Sequence, residues 1–421
     1  MVSTSPVSAA DARPGLSTLQ VLACGAAIVT LSMGVRHGFG LWLQPITMER
    51  GWTRETFAFA LAVQNLSWGV AGLFVGMVAD RFGAFRVLVA GSGVYAAGLA
   101  SMALAATPLA FTLTAGVLLG LAQAATTYAV IYGVLGRNID ASRRSWAMGI
   151  TAAAGSFGQF LMLPVESALI SGFTGGNVFS FDGVGWRNAL FILAALVLLI
   201  APLALGLREK SLSTATGAQQ SIAQALREAF GYRSFQWLMA GYFVCGFQVV
   251  FIGVHLPSYL KDHGLSPQVA TIALALIGLF NVIGTYAAGS LGQRLPKRYI
   301  LSAIYALRAV VISVFLAVPL TPASVYVFSA AMGLLWLSTI PPTNAIVAQM
   351  FGVRHFSMLS GFIFLSHQIG SFLGAWLGGR LYDVYGSYDV VWGIAIALGG
   401  FAALINLPVR ETAIQRRAVP A

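Results

Sequence analysis

Titratable side chains interrupt the long apolar stretches of this chain, and they carry most of the chemistry that the sequence offers. Five of them are Arg36, His37, Glu166, His255 and His367. A guanidinium can bind a carboxylate through two parallel hydrogen bonds, and a histidine or a buried carboxyl can take up and release a proton. An ionisable group at the centre of a bilayer-spanning segment costs about 2.5–3.5 kcal/mol on insertion scales, and such groups face a cavity or a partner. We therefore treat Arg36 as a candidate anion ligand and the other four residues as candidate proton sites.

Each of these residues also has a structural interpretation. Arg36 can pair with a polar neighbour, and a neutral histidine can bond to a backbone carbonyl. His37 points about 100° away from Arg36 on a helix, so the two cannot face the centre of a cavity equally well and one of them is expected to pack. Glu166 lies near the end of its apolar segment and can be an interfacial carboxylate that water reaches. Arg308, deep in a later segment, is predicted to have a structural partner or to snorkel.

Uncharged polar residues inside the apolar segments form a second set of candidates. Tyr128 and Tyr132 are four residues apart and share one helical face, where they can line a cavity or pack between helices. Pro341-Pro342 removes two backbone donors and should break its helix close to Asn344. The remaining candidates for contact with a solute, each of which can instead bond a neighbouring helix, are Gln248, Asn281, Asn344 and His367.

The composition shows which elements must position these residues. Apolar residues make up 58% and charged residues 9% of the 421 residues, and mean hydropathy is +0.81. Soluble domains carry roughly 25% charged residues. Apolar runs of about 20 residues predict an all-α polytopic membrane protein with twelve transmembrane helices. They are expected near 17–45, 55–79, 86–106, 108–134, 145–171, 188–207, 234–260, 267–292, 299–318, 322–350, 357–379 and 388–409.

The basic residues are spread along the chain, which argues against a nucleic-acid surface despite the formal charge of +11. If the N-terminus is cytoplasmic, seventeen of the 24 Lys and Arg residues fall on the inside and five on the outside. This asymmetry follows the positive-inside rule. It predicts an inner cell membrane protein with both termini in the cytoplasm.

Internal similarity predicts two six-helix halves. The segment Gly76–Arg86 after the second span is echoed by Gly289–Arg298 after the eighth, and a polar stretch separates the sixth and seventh spans. Duplicated halves place substrate near the midplane between them and favour alternating access. The predicted parts are a cytoplasmic tail (1–16), a first half (17–207), a central cytoplasmic loop (208–233), a second half (234–409) and a second cytoplasmic tail (410–421).

The loop after the second span resembles the signature of the major facilitator superfamily. Its pattern, Gly-x-x-x-Asp-Arg-x-Gly-x-x-Arg, is supplied by Gly76, Asp80, Arg81, Gly83 and Arg86. The resemblance implies that these five residues form a latch that holds the two halves in the outward-open state. It also implies a cavity lined by the first, fourth, seventh and tenth helices, which would include Arg36.

Within that superfamily, three segments resemble the bacterial monocarboxylate-transporter and oxalate/formate-antiporter branch. These are Gly38–Trp42, Ser366–Phe372 and Gly386–Asp389. Carriers of this branch place an arginine in the eighth span to hold a carboxylate. Here the eighth span, 267–292, contains no basic residue, and Asn281 is its main polar group.

These observations predict a secondary active or facilitated carrier of a small solute, in first place an organic anion such as a carboxylate. The alternative is a carrier or efflux pump for a neutral or cationic molecule, and a membrane sensor without transport is less favoured. Neither a nucleotide-binding loop nor a metal-spaced His/Cys set is present, so we predict no enzyme activity, cofactor or metal. Cys24 and Cys245 lie in apolar runs and suggest no disulfide. The expected partners are the solute, a coupling proton or counter-anion, and the lipid bilayer around a monomer.

Overall fold

A computed structural model describes residues 17–140, 143–171, 185–208, 222–352 and 356–414. The predicted tail 1–16, residues 209–221 of the predicted central loop and residues 415–421 lie outside the described residues. Within the described part, twelve helices are long and apolar enough to cross a membrane, as the sequence predicts. They are α1 (Thr18–Arg50), α2 (Arg54–Ala79), α3 (Ala84–Leu104), α4 (Pro108–Asn138), α5 (Trp146–Ile170), α6 (Gly185–Leu205), α7 (Arg233–Asp262), α8 (Pro267–Leu291), α9 (Lys297–Ala317), α10 (Pro322–Phe351), α11 (Met358–Tyr385) and α12 (Asp389–Asn406).

Two turns show how the helix ends are formed. The Thr53 side chain accepts a hydrogen bond from the Thr56 backbone and caps α2. Gly83, with φ 88°, forms the sharp turn between α2 and α3, where a side chain would be strained. The stretch between α6 and α7 that was predicted as a loop contains an additional helix, Ile222–Gly231.

Four of the spanning helices are interrupted. In α6, a turn at residues 198–199 separates Gly185–Val197 from Ile200–Leu205. In α1, Gly38 separates Thr18–His37 from Phe39–Arg50. In α4, the helix stops at Thr126 and resumes at Tyr128. In α10, Pro322–Leu335 is followed by irregular backbone before Ile340–Phe351.

The break in α10 lies earlier than the sequence predicted. Pro341 and Pro342 stand in the first turn of Ile340–Phe351, and Asn344 is inside that helix. The reason is that a proline in the first turn removes an N–H that has no partner there anyway. The irregular backbone therefore occupies 336–339, and the prediction of a break close to Asn344 was wrong.

Buried apolar side chains form two large clusters. One is drawn almost entirely from residues 21–207 and the other almost entirely from residues 229–409. Large apolar side chains also remain exposed on the outer faces of the helices, including Leu109, Val327 and Tyr286 at 70%, 70% and 78%. Lipid covers such faces in a membrane protein.

The two six-helix halves meet through three helix pairs, namely α2 with α11, α5 with α8, and α1 with α7. Because the chain crosses the bundle twelve times, residues 17 and 414 lie at the same end of it, here called the terminal end. The opposite, distal end carries the turns 51–53, 263–266 and 386–388. A Cβ atom on Gly379 of α11 would lie 2.8 Å from the Arg54 carbonyl oxygen of α2. The backbones of α2 and α11 are therefore in close contact at the distal end.

Candidate substrate cavity

Arg36 lies in the last turn of the first part of α1, deep in the bundle and half-buried. One guanidinium nitrogen donates a hydrogen bond to Asn65 Oδ1, and the group lies 4.8 Å from the centre of the Trp68 ring. Its Nε is buried and has no hydrogen-bond partner among the described residues. The ion pairs between described residues do not include Arg36. A positive charge in mid-bundle is therefore held by an amide and an aromatic ring, without a carboxylate partner in the described part of the chain.

A small cavity lies beside Arg36, between the two halves. Its volume is about 30 Å³, and its polar lining consists of Arg36, His37, Gln64, Asn65, Gln159 and Trp336. The rest of the wall is mainly apolar and comes from α1, α2, α7 and α8. This volume has room for one or two water molecules, so a solute requires the halves to separate slightly.

His37 faces the same cavity as Arg36. Its Nδ1 donates a hydrogen bond of 2.6 Å to the Met33 carbonyl oxygen, which leaves Nε2 as the second polar atom of the ring. Both residues thus line the cavity, and the prediction that they do not face its centre equally well stays a prediction. The helix breaks at Gly38, directly after this pair, so both side chains reach the space at the end of the helix.

Glu166 of α5 is fully buried, and the interpretation of an interfacial carboxylate reached by water was wrong. Trp42 Nε1 donates to Glu166 Oε2 at 2.7 Å, and Oε1 has no partner in the described part of the chain. The carboxyl packs against Gly38, where an added Cβ would lie 1.8 Å from Oε2. It therefore sits at the break in α1, beside the beginning of Phe39–Arg50.

The other two candidate histidines, His255 and His367, belong to the second half and do not line the cavity. His255 is buried; its Nε2 donates to the Ala375 carbonyl at 2.8 Å, and Nδ1 accepts from the Tyr388 hydroxyl at 3.3 Å. His367 Nδ1 lies 3.1 Å from Gln368 Oε1 and 3.3 Å from Ser371 Oγ. His367 also packs against Tyr242, with ring centres 5.0 Å apart.

Tyr128 and Tyr132 of α4 are half-buried neighbours with ring centres 5.4 Å apart. The Tyr132 hydroxyl donates to the Met148 carbonyl at 3.3 Å. A Cβ atom on Gly155 of α5 would lie 2.1 Å from the Tyr128 hydroxyl oxygen, so this oxygen packs directly against the backbone of α5. Asn344 of α10 is also half-buried. These three residues stand toward the terminal end, outside the lining of the small cavity.

Gln248 and Asn281 are buried and hydrogen-bonded to neighbouring helices in this conformation. Gln248 Nε2 donates to the Ala395 carbonyl of α12 at 2.9 Å. Asn281 Nδ2 donates to Ser156 Oγ of the other half at 2.8 Å, and its Oδ1 accepts from the Leu337 backbone at 2.9 Å. Asn281 thus connects α5 of the first half with the break in α10.

Arg308 of α9 is fully buried beside the same break. Its guanidinium donates to the Leu335 carbonyl at 2.7 Å and to the Trp336 carbonyl, the two acceptors that the interrupted helix leaves free. It also donates to Gln248 Oε1 at 3.3 Å. A cation at the C-terminal end of a helix is favoured by the helix dipole. This geometry agrees with the structural interpretation of Arg308.

A group of charged and aromatic residues joins the halves at the distal end, and sequence reasoning missed it. We call it the distal gate; its members are Arg54, Glu55, Asp262, Trp376, Arg380, Tyr382, Asp383 and Tyr388. Arg54 of α2 donates to both carboxylate oxygens of Asp262 of α7, at 2.6 and 2.7 Å. The Arg54 guanidinium also lies 3.7 Å from the centre of the Tyr382 ring and donates to the Tyr388 hydroxyl at 2.8 Å.

Glu55 extends the distal gate to α11. Its carboxylate accepts from Trp376 Nε1 at 3.0 Å and from Arg380 at 3.1 Å. In return, Asp383 accepts from the backbone N–H groups of Arg54 and Glu55, at 3.3 and 2.7 Å. These are N–H groups of the first turn of α2, which have no partner within the helix.

The predicted latch lies at the terminal end, between α2 and α3. Arg81 and Arg86 are exposed, and the Arg81 guanidinium lies 5.4 Å from the centre of the Phe82 ring. Gly76 has open space around the position of a Cβ atom. The side chain of Asp80 lies outside the described residues, so the latch stays a prediction.

Comparisons with known proteins agree with this architecture. The sequence profile of the Major Facilitator Superfamily matches residues 22–345. The uncharacterized MFS-type transporter YcxA of Bacillus subtilis (strain 168) is 22% identical over 387 residues, covering 88% of this chain and 90% of that protein. Monocarboxylate transporter 13 of Bos taurus is 26% identical over 392 residues, covering 90% of this chain and 86% of that protein.

A solved structure has the same fold. It is the inward-facing, unoccupied structure of a bacterial homologue of the human lysosomal transporter Spinster. The TM-score is 0.70 at 18% identity, and the alignment covers 94% of this chain and 99% of that chain. With twelve spans in two halves, a cavity between them and the family profile over most of its length, the chain belongs to the Major Facilitator Superfamily of membrane transporters for small solutes.

Proposed function

We propose that this protein transports a small organic anion, in first place a carboxylate, by alternating access between its two halves. The proposal depends on one observation, the environment of Arg36. This charge lies in mid-bundle without a carboxylate partner among the described residues, and its Nε has no hydrogen-bond partner beside the cavity. A buried charge is stable only when it is paired or hydrogen-bonded, so an anionic solute would complete this arrangement. The similarity to monocarboxylate transporter 13 supports the same solute class.

The conformation supports access from the terminal end. Arg54, Glu55 and Asp262 hold the distal end shut through charged hydrogen bonds, while Tyr128 and Asn344 keep exposed surface toward the terminal end. In the transport cycle the halves would rock, the distal gate would open and the latch from Gly76 to Arg86 would engage. We place both termini in the cytoplasm of a cell with the protein in its inner membrane, so that this state faces inward.

Glu166 and His37 are the candidates that we favour for a coupling proton. Both adjoin the interruption at Gly38, and His37 also faces the cavity that holds Arg36. A proton held beside the solute-binding arginine can offset the charge of an anion as the halves rearrange. The proposal also includes function as a monomer. Transport would be coupled either to a proton, by symport, or to a counter-anion, by exchange.

The test is uptake of labelled carboxylates by proteoliposomes that contain wild-type protein, Arg36→Gln or Arg36→Lys. We expect Arg36→Gln to abolish carboxylate uptake and Arg36→Lys to retain part of it, because lysine keeps the charge and loses the planar pair of donors. Arg187→Gln is the matched control, since it removes a surface guanidinium that is 50% exposed. Unchanged carboxylate uptake by Arg36→Gln would favour the alternative, a carrier or efflux pump for a neutral or cationic solute.

A further inference from the structure

Three buried polar atoms without partners belong to residues that line the cavity beside Arg36. They are Arg36 Nε of α1, Gln159 Oε1 of α5 and Trp336 Nε1 at the break in α10, and none has a hydrogen bond to another described residue. Buried polar groups nearly always have a partner, so several such atoms around one space point to a molecule that binds there. Two of the three are N–H donors, which suits an acceptor with negative charge.

Trp336 is the donor that the second half contributes. Only 1% of the residue is exposed, and its ring lies over Gly253 of α7, where an added Cβ would stand 4.0 Å from Cζ2. In an indole, Cζ2 and Nε1 lie on the same edge of the ring. The edge that carries the N–H therefore borders the part of the cavity wall formed by Gly253.

The backbone around Trp336 is fixed independently of any solute. Arg308 donates to the Trp336 carbonyl, and the following N–H, that of Leu337, donates to Asn281 Oδ1 at 2.9 Å. The irregular segment of α10 thus presents a preorganised N–H group to the cavity. Preorganised donors do not lose conformational freedom when the ligand binds.

We propose that Trp336 Nε1 is a second anion donor and that a single carboxylate binds across the halves, one oxygen to Arg36 and the other to Trp336. This inference rests on the proposed function and extends it to the second half, whose eighth span carries no basic residue. An anion held in this way would tie α1 to α10 and favour the distal-closed conformation. Trp336 and Arg36 would then together set the affinity for the anion. Binding of the anion to both residues would favour closure of the distal end.

Trp336→Phe tests the inference because it keeps the ring and removes the N–H. Trp392→Phe is the matched control. Trp392 is also 1% exposed, and its Nε1 has no partner among the described residues, but it packs in the apolar cluster of the second half, with its ring centre 4.7 Å from that of Phe251. We expect Trp336→Phe to raise the KM for carboxylate uptake about tenfold or more, since hydrogen bonds to charged groups are the strong ones. Trp392→Phe should leave KM unchanged.

A second variant and a binding measurement keep the inference testable if Trp336→Phe is poorly folded. Gly253→Ala adds a methyl group beside the Trp336 edge at an ordinary contact distance, and it should weaken carboxylate binding more for bulky than for small carboxylates. Stabilisation of detergent-purified protein against heat by the same carboxylates reports binding directly. Wild-type KM and wild-type thermal shifts in both variants would overturn the role of Trp336 and leave anion transport intact. Failure of wild-type protein to bind or carry any carboxylate would overturn the proposed function and this inference together.

Discussion

Gly40 of α1 lies in backbone contact with Gly253 of α7, because a Cβ atom on Gly40 would stand 2.2 Å from the Gly253 carbonyl oxygen. The two halves can approach this closely only without a side chain at residue 40. We expect Gly40→Ala to push α1 from α7 and to disfavour the distal-closed conformation. Spin labels at Met48 and Lys261, in a variant whose two cysteines are replaced by serine, should show a longer distance between the distal ends of the halves.

Gly72→Ala is the control for this change. Gly72 is a helical glycine of α2 with no atom within 4 Å of an added Cβ, so alanine should fit and raise helix propensity. The label distance in Gly72→Ala should equal that of the parent protein. An unchanged distance in Gly40→Ala would mean that the contact with Gly253 does not limit the approach of the halves.

The pair Arg54 and Asp262 is predicted to hold the distal gate closed. Removal of either charge, by Arg54→Gln or Asp262→Asn, should raise the population with a long distance between the same labels. The side chains are 14% and 25% exposed and bind in a bidentate manner, so we expect a coupling of about 1 kcal/mol, near the upper end for exposed pairs. The double variant should then open the gate no further than either single variant, which is the mark of a direct pair.

A comparable ion pair within one half provides the control. Arg187 and Glu49 are 2.6 Å apart but about half exposed, at 50% and 47%, and both belong to the first half. Arg187→Gln should leave the label distance unchanged. If the effects of Arg54→Gln and Asp262→Asn on the population with a long label distance were fully additive in the double variant, Arg54 and Asp262 would act on the gate separately.

The sequence was sufficient to predict the twelve spans and to single out Arg36. Both predictions depend on the high free-energy cost of exposing backbone polar groups or charge to lipid. Because of this cost, spans appear in a single sequence as long apolar runs, and an ionisable residue within such a run stands out. The distal gate left no such signal, because Arg54 and Asp262 occur at helix ends, where charged residues are common. Their pairing depends on the relative position of α2 and α7, and the two residues are 208 positions apart in the sequence.

Trp336 was missed for a related reason. A tryptophan in an apolar run predicts packing, and only the absence of a partner for its N–H distinguishes it from Trp42, which donates to Glu166. The break in α10 was predicted from Pro341-Pro342 but placed too late, because these prolines stand in the first turn of a helix, where proline fits without the loss of a hydrogen bond.

Glu166→Gln tests proton coupling. The glutamine keeps the size of the side chain and an oxygen that accepts from Trp42 Nε1, but it cannot exchange a proton. If Glu166 carries the coupling proton, carboxylate uptake driven by a pH gradient should be lost, whereas exchange of labelled for unlabelled carboxylate across the membrane should remain. Both rates can be measured in the same proteoliposome preparation.

His255→Gln is a useful comparison for this experiment, since His255 is also buried but has partners on both ring nitrogens, Ala375 and Tyr388. It should retain uptake driven by the pH gradient. Gradient-driven uptake at the wild-type rate in Glu166→Gln would exclude Glu166 as the proton site and direct attention to His37.

Arg308→Gln should lower stability through the break in α10. The variant removes the donors to the Leu335 and Trp336 carbonyls, and a buried acceptor left without a partner costs about 1–3 kcal/mol. We expect a clear fall in the melting temperature, compared with almost none for Arg187→Gln, which acts on an exposed cation. Arg308→Gln should also raise the KM for carboxylates, because Trp336 loses the bond that fixes its backbone. A wild-type melting temperature would show that Arg308 does not hold the break, and a wild-type KM in a destabilised variant would separate that role from substrate binding.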